Sequence, residues 1–326
     1  MLHVRCGDDV LAKLPAAGVP GRRLRYVDPV AQGPVPQTAD EAELRRVRAA
    51  FIERAYGVPA DQALAAIQAE ADGLARAAEE DEVVLWFEHD LFDQAILVRA
   101  LDALAPAAEA GLRVTLVSVD HHPGVARFVG LGQLSPVQLA SLFEERRPVP
   151  SGAYALASRA WRALRQPEPS ELAVLSRAAS PELPYLAAAL TRLLQELPWV
   201  TDGLGLTERL ALRGLATGAL EARALFAATQ EHERAPWMGD LMFFHVLREM
   251  EEREPPLLTS GGSWPAFEEH AAPPVVALSG EGRSILEGRA DCVRDMGIDR
   301  WVGGVRLAGY GPVWRWDPRR RAPVEA

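Results

Sequence analysis

Lysine, asparagine, cysteine and long apolar runs are what this chain has least of. Among its 326 residues Lys13 is the one lysine, asparagine does not occur, and Cys6 and Cys292 are the two cysteines. Two thiols this far apart in sequence form neither a disulfide framework nor a metal-type pair, and the expectation is reduced cysteines in a cytoplasm. No apolar run approaches the ~20 residues of a membrane span. The opening MLHVRCGDD meets two aspartates after a short apolar run, which argues against a secretory leader. A GC-rich genome explains the scarcity of Lys and Asn, which says nothing about function. The usual nucleotide cradles G-x-x-x-x-G-K-[ST] and G-x-G-x-x-G are missing, as is the G-x-S-x-G elbow. GLGQL at 130–134 has too few glycines for a cradle and follows no strand-like run. The net charge is −10. Nucleic-acid affinity comes largely from neutralising phosphates, so nucleic acid is a poor default partner.

What is present reads as two or three domains with ample material for a core. LHVRC (2–6), LRYV (24–27), VVLWF (83–87) and VTLVSV (114–119) are short, rich in β-branched or aromatic residues, and read as buried strands. Helical patterns separate them: VLAKLPAAG, DEAELRRVRAAFIERAYG, ADQALAAIQAEADGLARAAEE and LFDQAILVRALDALAPAAEAG. Strands alternating with helices predict an α/β unit over 1–130, a doubly wound, Rossmann-like parallel sheet covered on both faces. An all-helical segment follows over 131–200. Ser135 is its first expected N-cap, with Pro136 at the first helical position. Over 201–326, three helices and two extended runs describe a winged-helix-like α+β unit.

In a doubly wound sheet, functional groups gather just past the carboxyl ends of the strands. Each expected strand is followed there by acids: Asp8 and Asp9, then Asp28, then Glu88, His89 and Asp90, then Asp120, His121 and His122. Crowded carboxylates raise one another's pKa, which suits acid or base catalysis. With imidazole they also suit a divalent metal. An acidic rim repels phosphate unless a cation or arginines intervene, and Arg5 is among the nearest. Several of these acids have a purely structural reading. Asp90 suits the N-cap of the helix starting at Leu91, with Asp93 at its third position. Asp8 can cap the first helix, and Asp28 before Pro29 suits a turn. Glu88 and His89 extend a buried strand and belong to neither cap. Strand alternation puts Glu88 and Asp90 on one side and His89 on the other. His121-His122 before Pro123 reads as a polar loop.

LHVRCGDDV, the GPVP turn at 33–36, ELRRVRAAFI, VVLWFEHDLFDQ, GLGQLSPVQL and GIDRWVGGV…WRWD together resemble a bacterial domain-of-unknown-function family, the eighteen-thirty-five family, over nearly the whole chain. VVLWFEHDLFDQ is the most specific piece, and the resemblance adds weight to Glu88, His89, Asp90, Asp93 and Gln94. It imports no mechanism. Some members carry sigma-factor-like labels, but here the third helix of the C-terminal unit has no basic face. The segment 201–290 holds eight arginines, no lysine and fourteen acids, a net of 8 − 14 = −6.

These readings point first to a cytoplasmic enzyme, a hydrolase or transferase on a small polar or nucleotide-like substrate. Glu88 or Asp90 serves as acid/base, with His89 and Asp8 as catalytic partners or metal ligands. Asp28, Asp93, Gln94 and Arg5 are the substrate-binding candidates, and a divalent metal fits the carboxylates. The alternative is a regulatory or adaptor protein whose C-terminal unit binds a protein partner, a second copy of the chain or, less well, DNA.

Overall fold

The structure is a computed structural model that describes residues 1–38, 40–267 and 271–326. Its first part runs β1 (Leu2–Arg5), α1 (Asp8–Leu11), β2 (Arg22–Arg25), β3 (Gly33–Pro34), α2 (Glu41–Tyr56), α3 (Ala60–Ala75), β4 (Glu82–Trp86), α4 (Leu91–Glu109), β5 (Arg113–Val117), α5 (Pro136–Glu144) and β6 (Arg147–Pro148). The middle adds α6 (Ser151–Leu164), α7 (Ser170–Leu175) and α8 (Leu186–Leu194). The last part runs α9 (Leu206–Gly214), β7 (Leu220–Glu221), α10 (Ala222–Glu231), α11 (Asp240–Glu251), β8 (Leu258–Ser260), β9 (Val275–Leu278), α12 (Gly280–Leu286), α13 (Cys292–Met296), β10 (Ile298–Gly303), β11 (Val305–Gly309), β12 (Trp314–Asp317) and β13 (Ala322–Glu325).

The first five-stranded sheet has the order β2-β1-β4-β5-β6. Its first four strands are parallel, and β6 closes the edge antiparallel to β5. β4 is buried along its whole length: its apolar run from Val83 to Trp86 suits helices on both faces, and its first residue, Glu82, is held by Arg146 at 2.9 Å and Thr115 at 2.8 Å. Val84 and Trp86 point into one layer, with Val10, Leu14, Leu139 and Phe143 from α1, its following turn and α5. Val83 and Leu85 point into the other layer, with residues of α2, α3 and α4. α4 is buried on most of its circumference because it lies between the sheet and the middle helices, packing against α6 and α8.

The first unit therefore continues past residue 130. α5 completes one covering layer and β6 completes the sheet, so the helical middle begins at α6. Ser135 caps α5 as expected, its Oγ accepting from Gln138 N at 3.4 Å. α1 is a single turn instead of the longer helix expected as far as Gly18; its cap position is Gly7, and Asp8 caps nothing. Pro15 in the following turn can supply no backbone N–H to extend it.

In the last part, β7, β9 and β8 form an antiparallel sheet beside α9, α10 and α11. β10 pairs antiparallel with β11 and parallel with β3, so Val302 and Gly303 lie beside Gly33 and Pro34. A hydrogen bond from Val200 N to Trp316 O, at 3.1 Å, fastens the β12–β13 hairpin to the end of the middle segment. One hydrophobic core thus runs from Leu2 to Trp316. Among the described residues no helix is long and apolar enough to cross a membrane.

Candidate functional site

β1 leads through α1 to β2 on one side, while the chain returns over the other face to β4 on the far side of β1. The crevice between the ends of β1 and β4 is therefore the point where the strand order reverses, the usual ligand position in doubly wound sheets. The register pairs Arg5 with Trp86, so both side chains leave on the same face, and Glu88 keeps that face two residues later.

Arg5 is the hub. Its Nη1 donates to Trp86 O at 3.3 Å and forms a close ion pair with Asp93, and its Nη2 pairs as closely with Glu88. Asp9, one turn on in the chain, accepts from the same guanidinium at 3.1 and 3.3 Å. Asp93 also accepts from Glu88 N at 2.5 Å and from the Cys6 thiol at 2.8 Å. Asp90 is the N-cap of α4, its Oδ1 accepting from Asp93 N at 3.0 Å. The reciprocal half of that cap is absent because the Asp93 carboxylate is turned to Arg5. Gln94 Nε2 holds Glu88 O at 2.5 Å, and Gln94 Oε1 is buried with no partner.

Carboxyl oxygens of Glu88, Asp90 and Asp93 lie within 4.8 Å of one another, all three residues buried. One guanidinium cannot neutralise them all. Burial, followed by the charge of Asp93, pushes Glu88 up to about 8 against the pull of Arg5. Asp90 lies well above the usual carboxyl range, through burial first and then Asp93 and Glu88. Burial, with Asp93 beside it, also raises the Cys6 thiol, which stays an S–H donor. These three carboxyls could each offer one oxygen to a divalent cation, which carboxylate oxygens suit. Such an ion would displace Arg5 and Cys6 from the Asp93 oxygens they occupy.

The cover of this cluster is the GLGQL segment, which sequence reasoning set aside. Leu131 N donates to Glu88 Oε1 at 2.6 Å. A Cβ on Gly130 would strike the Glu88 carboxylate, and one on Gly132 would fall 2.7 Å from Asp9 Oδ2. Only glycine lets this backbone lie directly on the acids. Lys13 Nζ clasps the segment through Gly132 O at 2.5 Å and Leu134 O at 3.1 Å.

The remaining expected residues lie elsewhere. Asp8 is 71% exposed in its side chain and pairs with Arg25 at 3.2 Å, while Asp9, also exposed, is the one that the single turn of α1 sets against Arg5. Asp28 is not at the crevice. It is buried between Arg48 at 2.9 Å and Arg99 at 2.7 Å, and Arg48 also donates to Pro29 O, Gln32 O and Pro34 O. That node fixes the loop from β2 to β3. His89 faces away from Glu88, its ring 6.1 Å from Phe128 and 6.0 Å from Tyr185. Its Nδ1 is buried without a partner, and burial lowers its pKa. His121 is exposed, against Asp120 at 2.7 Å, and His122 is half-buried. Cys6 and the two glycines are the members that sequence reasoning missed; Asp9 was placed on the rim after the first strand, but Asp8 was chosen over it as the site residue.

A cavity of about 730 Å³ lies away from this cluster, between α2, α11 and the β10–β11 hairpin. Compared with known proteins, the chain matches no family model and no curated protein.

Proposed function

We propose that the crevice between β1 and β4 is the active site of a cytoplasmic hydrolase or transferase acting on a small polar or nucleotide-like substrate. The observation that carries this reading is the buried Glu88 carboxyl, raised to about 8, beside the Arg5–Asp93 ion pair at the reversal point of the sheet. Two carboxyl groups with different environments are the arrangement that acid–base chemistry needs. Glu88 donates a proton near neutral pH, Arg5 receives a developing negative charge, and Asp93 orients Arg5. The 130–134 segment acts as the cover and must lift for substrate to enter. A divalent cation would be held by Glu88, Asp90 and Asp93 only with Glu88 deprotonated, and it would then supply Lewis acidity in place of the Glu88 proton. We also infer membership of the eighteen-thirty-five family from the six motifs.

The test is Glu88→Gln, which keeps the acceptor for Leu131 N and loses the proton. Hydrolysis of p-nitrophenyl phosphate and a nucleotide panel, with and without Mn²⁺, is expected to fall at least about a hundredfold, in the upper part of the usual range for general acid catalysis. Wild type without turnover or Mn²⁺ binding, or a variant indistinguishable from it, sinks the proposal.

One observation favours a second reading for the last part. The order α9–β7–α10–α11–β8–β9 is similar to that of a winged-helix unit, and we infer that this part binds a protein partner. It does not support DNA binding. α11, in the reading position, buries Phe243, Phe244 and Leu247 and packs against α2.

A further inference from the structure

The cavity between α2, α11 and β10 has walls that the switch-point chemistry leaves unused. Phe51, Trp237, Met238 and Trp301 supply flat apolar surface, and Glu249 and Arg300 supply polar groups. Its volume of about 730 Å³ falls within the ~300–1,000 Å³ of small-molecule sites. Two of its polar groups are incompletely matched. Arg300 Nη1 pairs with Glu208 at 2.8 Å and Nη2 donates to Glu196 O at 2.9 Å, which leaves N–H donors of the guanidinium beyond these two bonds; its Nε has no partner among the described residues but is itself closed off from the cavity. Glu249 meets His245 at 3.5 Å, and that imidazole is held neutral by burial and by Arg248 and Arg54. Burial pushes the Glu249 carboxyl up even though Arg300 is near enough to pull it down. No hydrogen bond joins Glu249 to Arg300 among the described residues.

The gap therefore calls for a molecule with donors for one side and an acceptor for the other. A free phosphate fits poorly, because Glu252, Glu254 and Asp299 also line the space and Glu208 already engages Arg253 and Arg300. The aromatic walls favour a planar ring.

We propose that this cavity binds a planar heterocycle of the guanine type, which presents its N–H edge to Glu249 and its carbonyl oxygen to Arg300. The site is separate from the switch-point crevice and does not rest on the reading of that crevice. Adenine has an acceptor nitrogen where guanine has the ring N–H and an amino group where guanine has the carbonyl, so it meets both groups with the wrong polarity.

Isothermal titration of the whole protein with guanosine, adenosine and glycine, with quenching of tryptophan fluorescence as a second readout, tests this. Guanosine is expected to bind at least tenfold more tightly than adenosine, and glycine not to compete. Glu249→Gln, at a half-exposed position on α11, is expected to weaken guanosine at least tenfold with an unchanged circular dichroism spectrum. Glu88→Gln is expected to leave guanosine affinity alone. The proposal is overturned by no guanosine binding, by equal affinity for adenosine, by displacement with glycine, or by a Glu249→Gln variant that binds as wild type. Loss of binding in Glu88→Gln also overturns it, because guanosine would then be occupying the switch-point crevice.

Discussion

Glu88 and Asp28 are both buried carboxyls beside arginine, and they respond to pH in opposite directions. Burial alone would raise Asp28, but Arg48 and Arg99 outweigh it and hold the group below its usual range. Its stabilising contribution is therefore present above the carboxylate range and is lost as pH falls through the lowered native value. Glu88 is raised to about 8 from an ordinary 4.5, so the native state keeps a proton that the unfolded chain has released. The unfolding free energy falls as pH rises between those two values. Glu88→Gln is expected to flatten that slope, and urea midpoints at pH 5, 6, 7 and 8 measure it. A slope identical to wild type would place the excess proton elsewhere. The sequence marked Glu88, Asp90 and Asp93 because they follow a buried strand. It could not place Asp28, whose partners Arg48 and Arg99 are helix residues far along the chain. It chose Asp8 over Asp9 because the choice depends on the phase of a single helical turn.

At the scale of elements, the cover segment makes the sharpest demand. Gly130 and Gly132 lie where side chains would meet Glu88 and Asp9. Gly130→Ala pushes the backbone off the carboxylate and weakens the Leu131 N–H bond. A cost of about 1–3 kcal/mol is expected, the usual range for overpacking, and denaturant midpoints read it. An unchanged midpoint would mean that the cover moves aside freely. β1, β4 and β5 were legible because each holds a short, dense apolar run, whereas β2 is the mostly exposed Arg22–Arg25, two residues ahead of the buried LRYV strand expected at 24–27. α2 was legible at both ends, since Asp40 accepts from Glu43 N at 2.6 Å and Gly57 takes φ +76° to stop the helix. β3 and β6 were not legible, since two residues carry no periodicity and their pairing is decided by distant partners. The glycines of the cover looked like a failed nucleotide cradle because their use is close approach to side chains and not to phosphate.

For the whole molecule, the core matters more than the division into parts. Apolar residues from β1 to β12 belong to one buried cluster, and α11 and β10 both dock onto the first unit. Heating is expected to give one cooperative transition, with far-ultraviolet and near-ultraviolet dichroism coincident. Two separated transitions would show that the last part folds by itself. The net charge of −10 adds a broad negative field around this single body, which slows encounters with nucleic acid at low salt.

The pairing of β3 with β10 also has a consequence during synthesis. Gly33 and Pro34 leave the ribosome long before their partners Val302 and Gly303, which lie far further along the chain. At about 5–20 residues per second the wait is on the order of tens of seconds. Throughout that time the nascent chain carries the loop fixed by Arg48 with its outer backbone unpaired, open to chaperones or to a neighbouring chain.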